Sequence, residues 1–326
     1  MEKMMSDDDD IVKLKKRFKW VSVACIFFAV HFVAVNLFPS YFFYDRIIGN
    51  SYNTSGNYNE RGNFFEKDGH RYLFGGQQEH EHFKIDNLIL DDTQFHYGLG
   101  RENFPAVVNP RFEPADLASS WLNDNEAIIG ISVNGESKAY PIRLLQQHEV
   151  VNDTVGGESI FASYCVLASL ASVYNRKIND HEFTFAVSGY TYADMTIWGG
   201  MDAFVLWDRD TESLWWPPMG KAVSGDMLGA KMRVFDRTKW AVLTWGAMRK
   251  EFPETVVLSR GQKYNPSGSF KPLTEGFEEL IKGSAEFDSI APHWGENAVL
   301  KTAGSRSEKM PAAPTGSHNE GSGGGF

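Results

Sequence analysis

Cysteine is almost missing from this chain: Cys25 and Cys165 are the only two in 326 residues. Cys25 lies inside an apolar run near the N-terminus, so the two thiols are not placed to meet and a disulfide framework is excluded. No C-x-x-C pair occurs, which removes cysteine-rich zinc sites and covalent haem attachment. Positive charge is short as well. The 32 Lys and Arg face 42 Asp and Glu, a net charge of −10, whereas a nucleic-acid partner calls for a basic face. There is no phosphate-cradling glycine loop, no dinucleotide fingerprint and no tandem repeat. Long apolar runs are lacking too, with one exception.

That exception is Trp20 to Phe38, which carries no Asp, Glu, Lys or Arg. As a helix it would span roughly 28 Å, close to the hydrocarbon thickness of a bilayer. Pro39 ends it, and Tyr41, Phe42, Phe43 and Tyr44 form an aromatic belt beyond. The run is long for a signal peptide and no small-residue cleavage site follows. Lys13, Lys15, Lys16, Arg17 and Lys19 precede it, while only Asp45 and Arg46 follow closely. The positive-inside rule therefore predicts a cytoplasmic N-terminus (1–19) and one transmembrane helix (20–38) in a bacterial inner membrane. The C-terminal domain would face the periplasm or exterior. His31 and Asn36 within the span are expected against a partner helix or near the interface. Residues 39–85, rich in Gly, Asn and Tyr, read as a juxtamembrane linker with one hairpin, and 86–265 as a folded ectodomain. Residues 266–300 form an extension, and the Ala, Gly, Ser and Pro of 301–326 predict a disordered tail.

With 42% hydrophobic and 14% aromatic residues, the ectodomain can bury a core. Ala127 to Ile142 alternates apolar residues around Asn134-Gly135, a two-residue hairpin signal. Pro114 to Asn123 predicts a short helix with Leu117 and Trp121 on one face. Ser159–Tyr164 and Ala171–Tyr174 read as strands either side of a Cys165 loop. Glu182–Val187 is expected to pair with Val173–Lys177. Phe204–Trp207 and Ser213–Trp216 flank a turn at Asp208–Thr211. Trp240–Phe252 predicts a helix of about three turns, Thr255–Ser259 a strand and Leu273–Ile281 a helix. The expected class is α+β: a mostly antiparallel β ectodomain with a few short helices, preceded by one transmembrane helix.

Several blocks then fall into a familiar order. They are Phe104-Pro105-Ala106, Asn109-Pro110-Arg111-Phe112, Ile129-Gly130-Ile131 with Asn134-Gly135-Glu136, and Ala139-Tyr140-Pro141-Ile142-Arg143. Next come the run from His148-Glu149 to Gly156-Gly157, Tyr164-Cys165, and Phe185-Ala186-Val187-Ser188-Gly189. Trp207-Asp208-Arg209, Thr211-Glu212-Ser213-Leu214-Trp215 and Val257-Leu258-Ser259-Arg260 complete the set. Over about residues 99–263 the chain resembles the bacterial and archaeal domain-of-unknown-function family 3179, for which the resemblance implies no activity. That family usually continues Tyr-Cys with Pro-Leu, then Cys or Thr, then Gly. Here Val166, Leu167, Ala168 and Ser169 stand instead, without the proline, the second thiol or hydroxyl, and the glycine. The stretch Tyr192–Ala203 is also longer than the family's usual link.

Two chemistries are open to these residues. A copper site could draw a thiolate from Cys165, an imidazole from His148 and a thioether from Met195, Met201 or Met219, with His96 or His181 as a second imidazole. Alternatively Cys165 is a nucleophile with His148 as base, oriented by Asp153 or Glu149. The plainer reading makes Cys165 a small buried hydrophobe and His148, Asn152 and Asp153 a hydrogen-bonded turn leading into Gly156-Gly157. His80 and His82, alternating with Glu79 and Glu81, would share one side of a strand, where they read as a metal pair or a polar edge. Asp208, Arg209, Asp210 and Glu212 lack the calcium-loop pattern and predict a hairpin turn with an internal salt bridge. Trp207, Trp215, Trp216, Trp240 and Trp245 are expected mostly in the core, with one ring of Trp215-Trp216 exposed. The anchor, the aromatic-rich ectodomain and the altered loop after Cys165 together point to a non-catalytic binding or accessory scaffold protein docking on membrane or envelope partners. The alternative is a copper-binding or thiol redox protein.

Overall fold

A computed structural model describes residues 63–194, 196, 201–263 and 272–287. The expected span 20–38 with His31 and Asn36 lies outside the described residues, as do Met195, residues 197–200 and the expected tail 301–326.

Strands β1 (Phe64–Lys67), β2 (His70–Leu73) and β3 (Phe83–Lys84) form an antiparallel N-terminal sheet. The next three, β4 (Phe95–Tyr97), β5 (Val107–Val108) and β6 (Phe112–Pro114), go one each to three different five-stranded sheets. A single-turn helix α1 (Ala115–Ala118) follows, then the hairpin β7 (Ala127–Val133) and β8 (Glu136–Pro141), which founds the distal sheet. Its turn is Asn134 at φ 47° and Gly135 at φ 84°, the mirror-image geometry that suits a right-twisted hairpin. Helix α2 (Ile142–His148) leads into a meander of β9 (Val150–Val155), β10 (Glu158–Cys165) and β11 (Leu170–Asn175), the central sheet. A small hairpin, β12 (Lys177–Ile178) and β13 (His181–Glu182), precedes the aromatic sheet of β14 (Phe185–Asp194), β15 (Met201–Asp208), β16 (Leu214–Trp216) and β17 (Lys221–Ser224). β18 (Arg233–Val234) then joins β11, and β19 (Trp240–Thr244) joins β7. After helix α3 (Trp245–Glu251), β20 (Val256–Leu258) inserts between β8 and β6, and helix α4 (Phe277–Ser284) closes the described chain. Pairing is antiparallel except for β5–β9 and β20–β8.

The sheets stack as layers, and the alternation of side chains in the central sheet shows how. Val150, Phe161, Cys165, Leu170 and Tyr174 pack with the aromatic sheet, while Val151, Ile160, Ala162, Tyr164 and Val173 pack with the distal sheet. Both faces are buried, so these strands read as nearly continuous apolar runs. On its other side the aromatic sheet meets the N-terminal sheet. There Phe83 meets Trp207 at 5.8 Å and the Tyr190 hydroxyl donates to the Phe74 carbonyl at 2.6 Å. The distal sheet is covered by α1 and α3 through Ala118, Ile128, Trp245 and Met248.

Several local expectations change. The linker expected to reach residue 85 ends earlier, because Leu73, Phe83 and Ile85 are fully buried in the core. The helix expected over 114–123 is one turn. The Ser119 and Ser120 hydroxyls bond back to the carbonyls of Ala115 and Leu117, and Leu117 is 61% exposed. Residues 240–244 are strand, and the helix begins only where the Thr244 side chain accepts from the Ala247 amide. Glu182–Val187 is not one strand. It pairs with Lys177 and Ile178 only as far as Glu182, and from Phe185 the chain crosses to the aromatic sheet. The helix expected from Leu273 begins at Phe277, after Gly276 at φ 87°. Trp215 and Trp216 are both fully buried, since the aromatic sheet is covered on both faces. Among the described residues no helix is long and apolar enough to cross a membrane.

Candidate functional site

Cys165 ends β10 opposite Leu170, and residues 166–169 turn the chain back into β11. Its sulfur accepts from the backbone N–H groups of Leu167, Ala168 and Phe204. Burial pushes the thiol up to about 12, and the nearby Glu149 carboxylate adds to the effect. At neutral pH Cys165 is therefore a neutral thiol, whereas a nucleophilic cysteine acts as the thiolate. The rim above it is apolar, with Val166 and Leu167 each 39% exposed. Ser169 sits at φ 49°, at the position where the family pattern described above has glycine.

Glu149 terminates α2 with φ 57° and ψ −32°, and its own amide bonds to Leu145. Its carbonyl accepts from Tyr164 N–H at 2.9 Å, and its carboxylate accepts from the Val166 amide. Burial raises that carboxylate to about 7. His148, one residue earlier, lies with Nδ1 2.8 Å from the Pro105 carbonyl. A carbonyl only accepts, so Nδ1 carries the proton in this contact and Nε2 is the nitrogen left over.

Asp153 is not part of this group. It faces the distal sheet, where it accepts from the Tyr140 hydroxyl at 2.6 Å and from Lys138 Nζ at 3.0 and 3.2 Å. Lys138 also donates to the Thr154 carbonyl and lies 4.4 Å above the Phe112 ring. Cys165 points to the opposite face of the central sheet, so Asp153 does not orient a base for it. Glu149 is the acid brought beside the thiol.

The remaining candidates are scattered. His96 is on β4 opposite Thr191, and His181 on β13 lies 3.4 Å from Asp210. Met201 opens β15 opposite Asp194, and Met219 is half-buried after Pro217-Pro218. Glu79–Glu81 is a 3-10 turn and not strand, so His80 and His82 do not alternate as strand neighbours. His82 packs against Phe65 and Phe74, and burial lowers its pKa. Among the described residues no group of three or more His, Cys, Asp and Glu is arranged to hold a metal.

Two buried polar side chains, Asn152 and Glu102, join elements far apart in the chain. Asn152 donates to the Phe185 carbonyl at 2.8 Å and accepts from the Phe185 amide at 2.9 Å, so an amide side chain ties β9 to β14 across layers. Glu102 takes a bidentate grip from Arg209 at 2.6 and 2.8 Å, both side chains buried, where an ion pair inside the turn was expected. Asp208 accepts instead from Thr211 and from Trp215 Nε1 at 2.6 Å, and burial raises it to about 7.

These residues, Asp153, Asn152, Asp208 and Arg209, belong to the blocks quoted above. Residues 101–275, more than half of the chain, match the family described as "Protein of unknown function (DUF3179)". The chain belongs to this family. No curated protein and no solved structure matches it. The DUF3179 match thus covers β5 to β20 and the turn around Cys165, and it stops just before α4.

Proposed function

We propose that this DUF3179 member is a membrane-anchored binding or accessory protein without catalysis of its own, held by residues 20–38 with its β-rich domain outside the cytoplasm. One observation carries the non-catalytic part. Four polar residues of the family blocks are bonded inside the domain: Asp153 to Tyr140 and Lys138, Asn152 to the Phe185 backbone, Arg209 to Glu102, and Asp208 to Thr211 and Trp215. Cys165, the single described cysteine, is buried and strongly disfavoured as thiolate. The anchor rests on the uncharged run Trp20–Phe38 and the basic residues before it.

The test is copper titration of the full chain in detergent, beside Cys165→Ala and His148→Ala. The expected result is no stoichiometric copper in any of the three, with the Cys165→Ala variant merely less stable. Near-stoichiometric copper in the wild type, lost in both variants, would replace this reading with a copper or thiol redox protein.

A further inference from the structure

Helix α4 lies beyond the DUF3179 match yet is seated on the matched domain. It has eight residues and no side-chain N-cap, and a helix that short is marginal in water on its own. Its order must come from its seat. The buried and half-buried positions of the helix are Phe277, Leu280, Ile281, Gly283 and Ser284, mostly one stripe at helical spacing, with Leu273 and Phe287 half-buried on either side. Leu280 enters the main core, and the seat closes around it from three elements of the matched domain. The Asn179 amide, in the β12–β13 turn, donates to the Glu279 carbonyl at 3.1 Å. The Asp210 carbonyl accepts from Leu273 N–H at 2.6 Å, and Lys231 N–H donates to the Ser284 hydroxyl at 2.9 Å. Gly283 packs directly under the Asn179 side chain, whose Oδ1 lies 2.3 Å from where a Cβ on Gly283 would stand.

Charge follows the same division. The helix and its flanks carry Glu275, Glu278, Glu279 and Glu286 against Lys282, while Lys231 and Arg233 stand at the seat, Arg233 lying 5.8 Å over the Phe287 ring. Asp180 and Asp210 flank the other side of the seat, so its basic residues lie toward the C-terminal end of the helix. We propose that this seat is a docking site for a short acidic amphipathic helix, with apolar residues at the spacing of Phe277, Leu280 and Ile281 and a small residue one turn on. Helix α4 is its tethered occupant, and a partner bearing such a helix gains access by displacing it. The inference deepens the binding role proposed above, and rests on it only for the existence of a partner.

The test uses the full chain and a dye-labelled peptide of residues 272–287. Tethering holds α4 at an effective concentration on the order of millimolar, so the wild type should bind added peptide weakly. Leu280→Asp, which removes the buried anchor, and Ser284→Arg, which forces a charged side chain into a fully buried position, each release α4 by a different route. Both variants should bind the peptide at least tenfold more tightly than the wild type, and a peptide carrying Leu280→Asp should bind to none. Equal affinity across all three proteins, or no binding to either variant, overturns the proposal. Should either variant lose its cooperative unfolding transition, hydrogen exchange on the wild type decides. Saturating peptide should speed exchange of the tethered 277–284 amides several-fold, and no change overturns the proposal. Neither readout depends on copper, so failure here is distinct from failure of the non-catalytic reading.

Discussion

Asp153, Glu149 and Ser169 show how differently single residues of one region are used. Asp153 holds Lys138 and the Tyr140 hydroxyl in a buried layer, so Asp153→Ala removes the acceptor they share and leaves the ammonium with Glu136 at 3.3 Å and the Thr154 carbonyl. The expected cost is about 3–5 kcal/mol, read as a fall in the urea midpoint at constant slope. Glu149 behaves oppositely. Its folded pKa, about 7, is raised above the ordinary 4.5, so its contribution to stability is complete below about pH 4.5 and lost as pH rises through 7. A shift of this size corresponds to about 3 kcal/mol. The difference in unfolding free energy between Glu149→Gln and the wild type should therefore grow in the variant's favour from pH 5 to pH 8, and a pH-independent difference would contradict it. Ser169 holds a left-handed backbone at φ 49°. Ser169→Gly should stabilise by about 1 kcal/mol, a rise of about 2–4 °C in Tm. At this scale the structure sets Glu149 beside Cys165, while the His148 ring turns to the Pro105 carbonyl. Composition could not tell which face of β9 Asp153 occupies, because that depends on register, and a one-residue change reverses it. Glu102 was invisible because its meaning comes from Arg209, which stands 107 positions away.

Elements were legible where the local code is strong. The Asn134-Gly135 hairpin follows from turn chemistry and alternation, and the strands either side of Cys165 from short apolar runs. The failures lie where tertiary partners decide. WAVLT can continue a helix by pattern, but β7 offers it an edge from Ala127 to Ile131 and Thr244 supplies the cap for a later start. The break at Phe185 is imposed by Asn152, a side chain on another strand. A bulge in β14 between Val187 and Tyr190 is set in the same way, by close approach of two backbones. A Cβ on Gly189, at φ 85°, would sit 2.1 Å from the Gly100 carbonyl oxygen. Gly189→Ala should destabilise by at least about 2 kcal/mol, seen as a lower thermal midpoint, because neither backbone can yield.

For the whole molecule, the class of a mostly antiparallel β domain with short helices was readable from many short alternating segments. The stacking of layers was not, because nearly every apolar segment in such a stack is buried on both faces and periodicity no longer distinguishes inside from outside. The proposed anchor makes its own prediction. The full chain should sediment with membranes and resist carbonate extraction, a chain lacking residues 20–38 should not, and a C-terminal alkaline phosphatase fusion should be active. An inactive fusion with the chain still in the membrane would reverse the orientation.

Residues 95–114 give one strand to each of three sheets whose other members come later in the chain. Tyr97 waits for Tyr190, Val107 for Val151, and Phe112 for Leu258. A chain emerging N-terminus first must therefore keep β5 unpaired until β9 is made, β4 until β14, and β6 until almost the whole domain is made. Local meanders can close first, but the thread that staples them together is the last to be locked. In pulsed hydrogen-exchange refolding, the amides of β4, β5 and β6 should gain protection after those of β9 to β11. Until β20 is made the nascent chain presents an unmated β6 to any neighbour, which makes late synthesis a vulnerable interval.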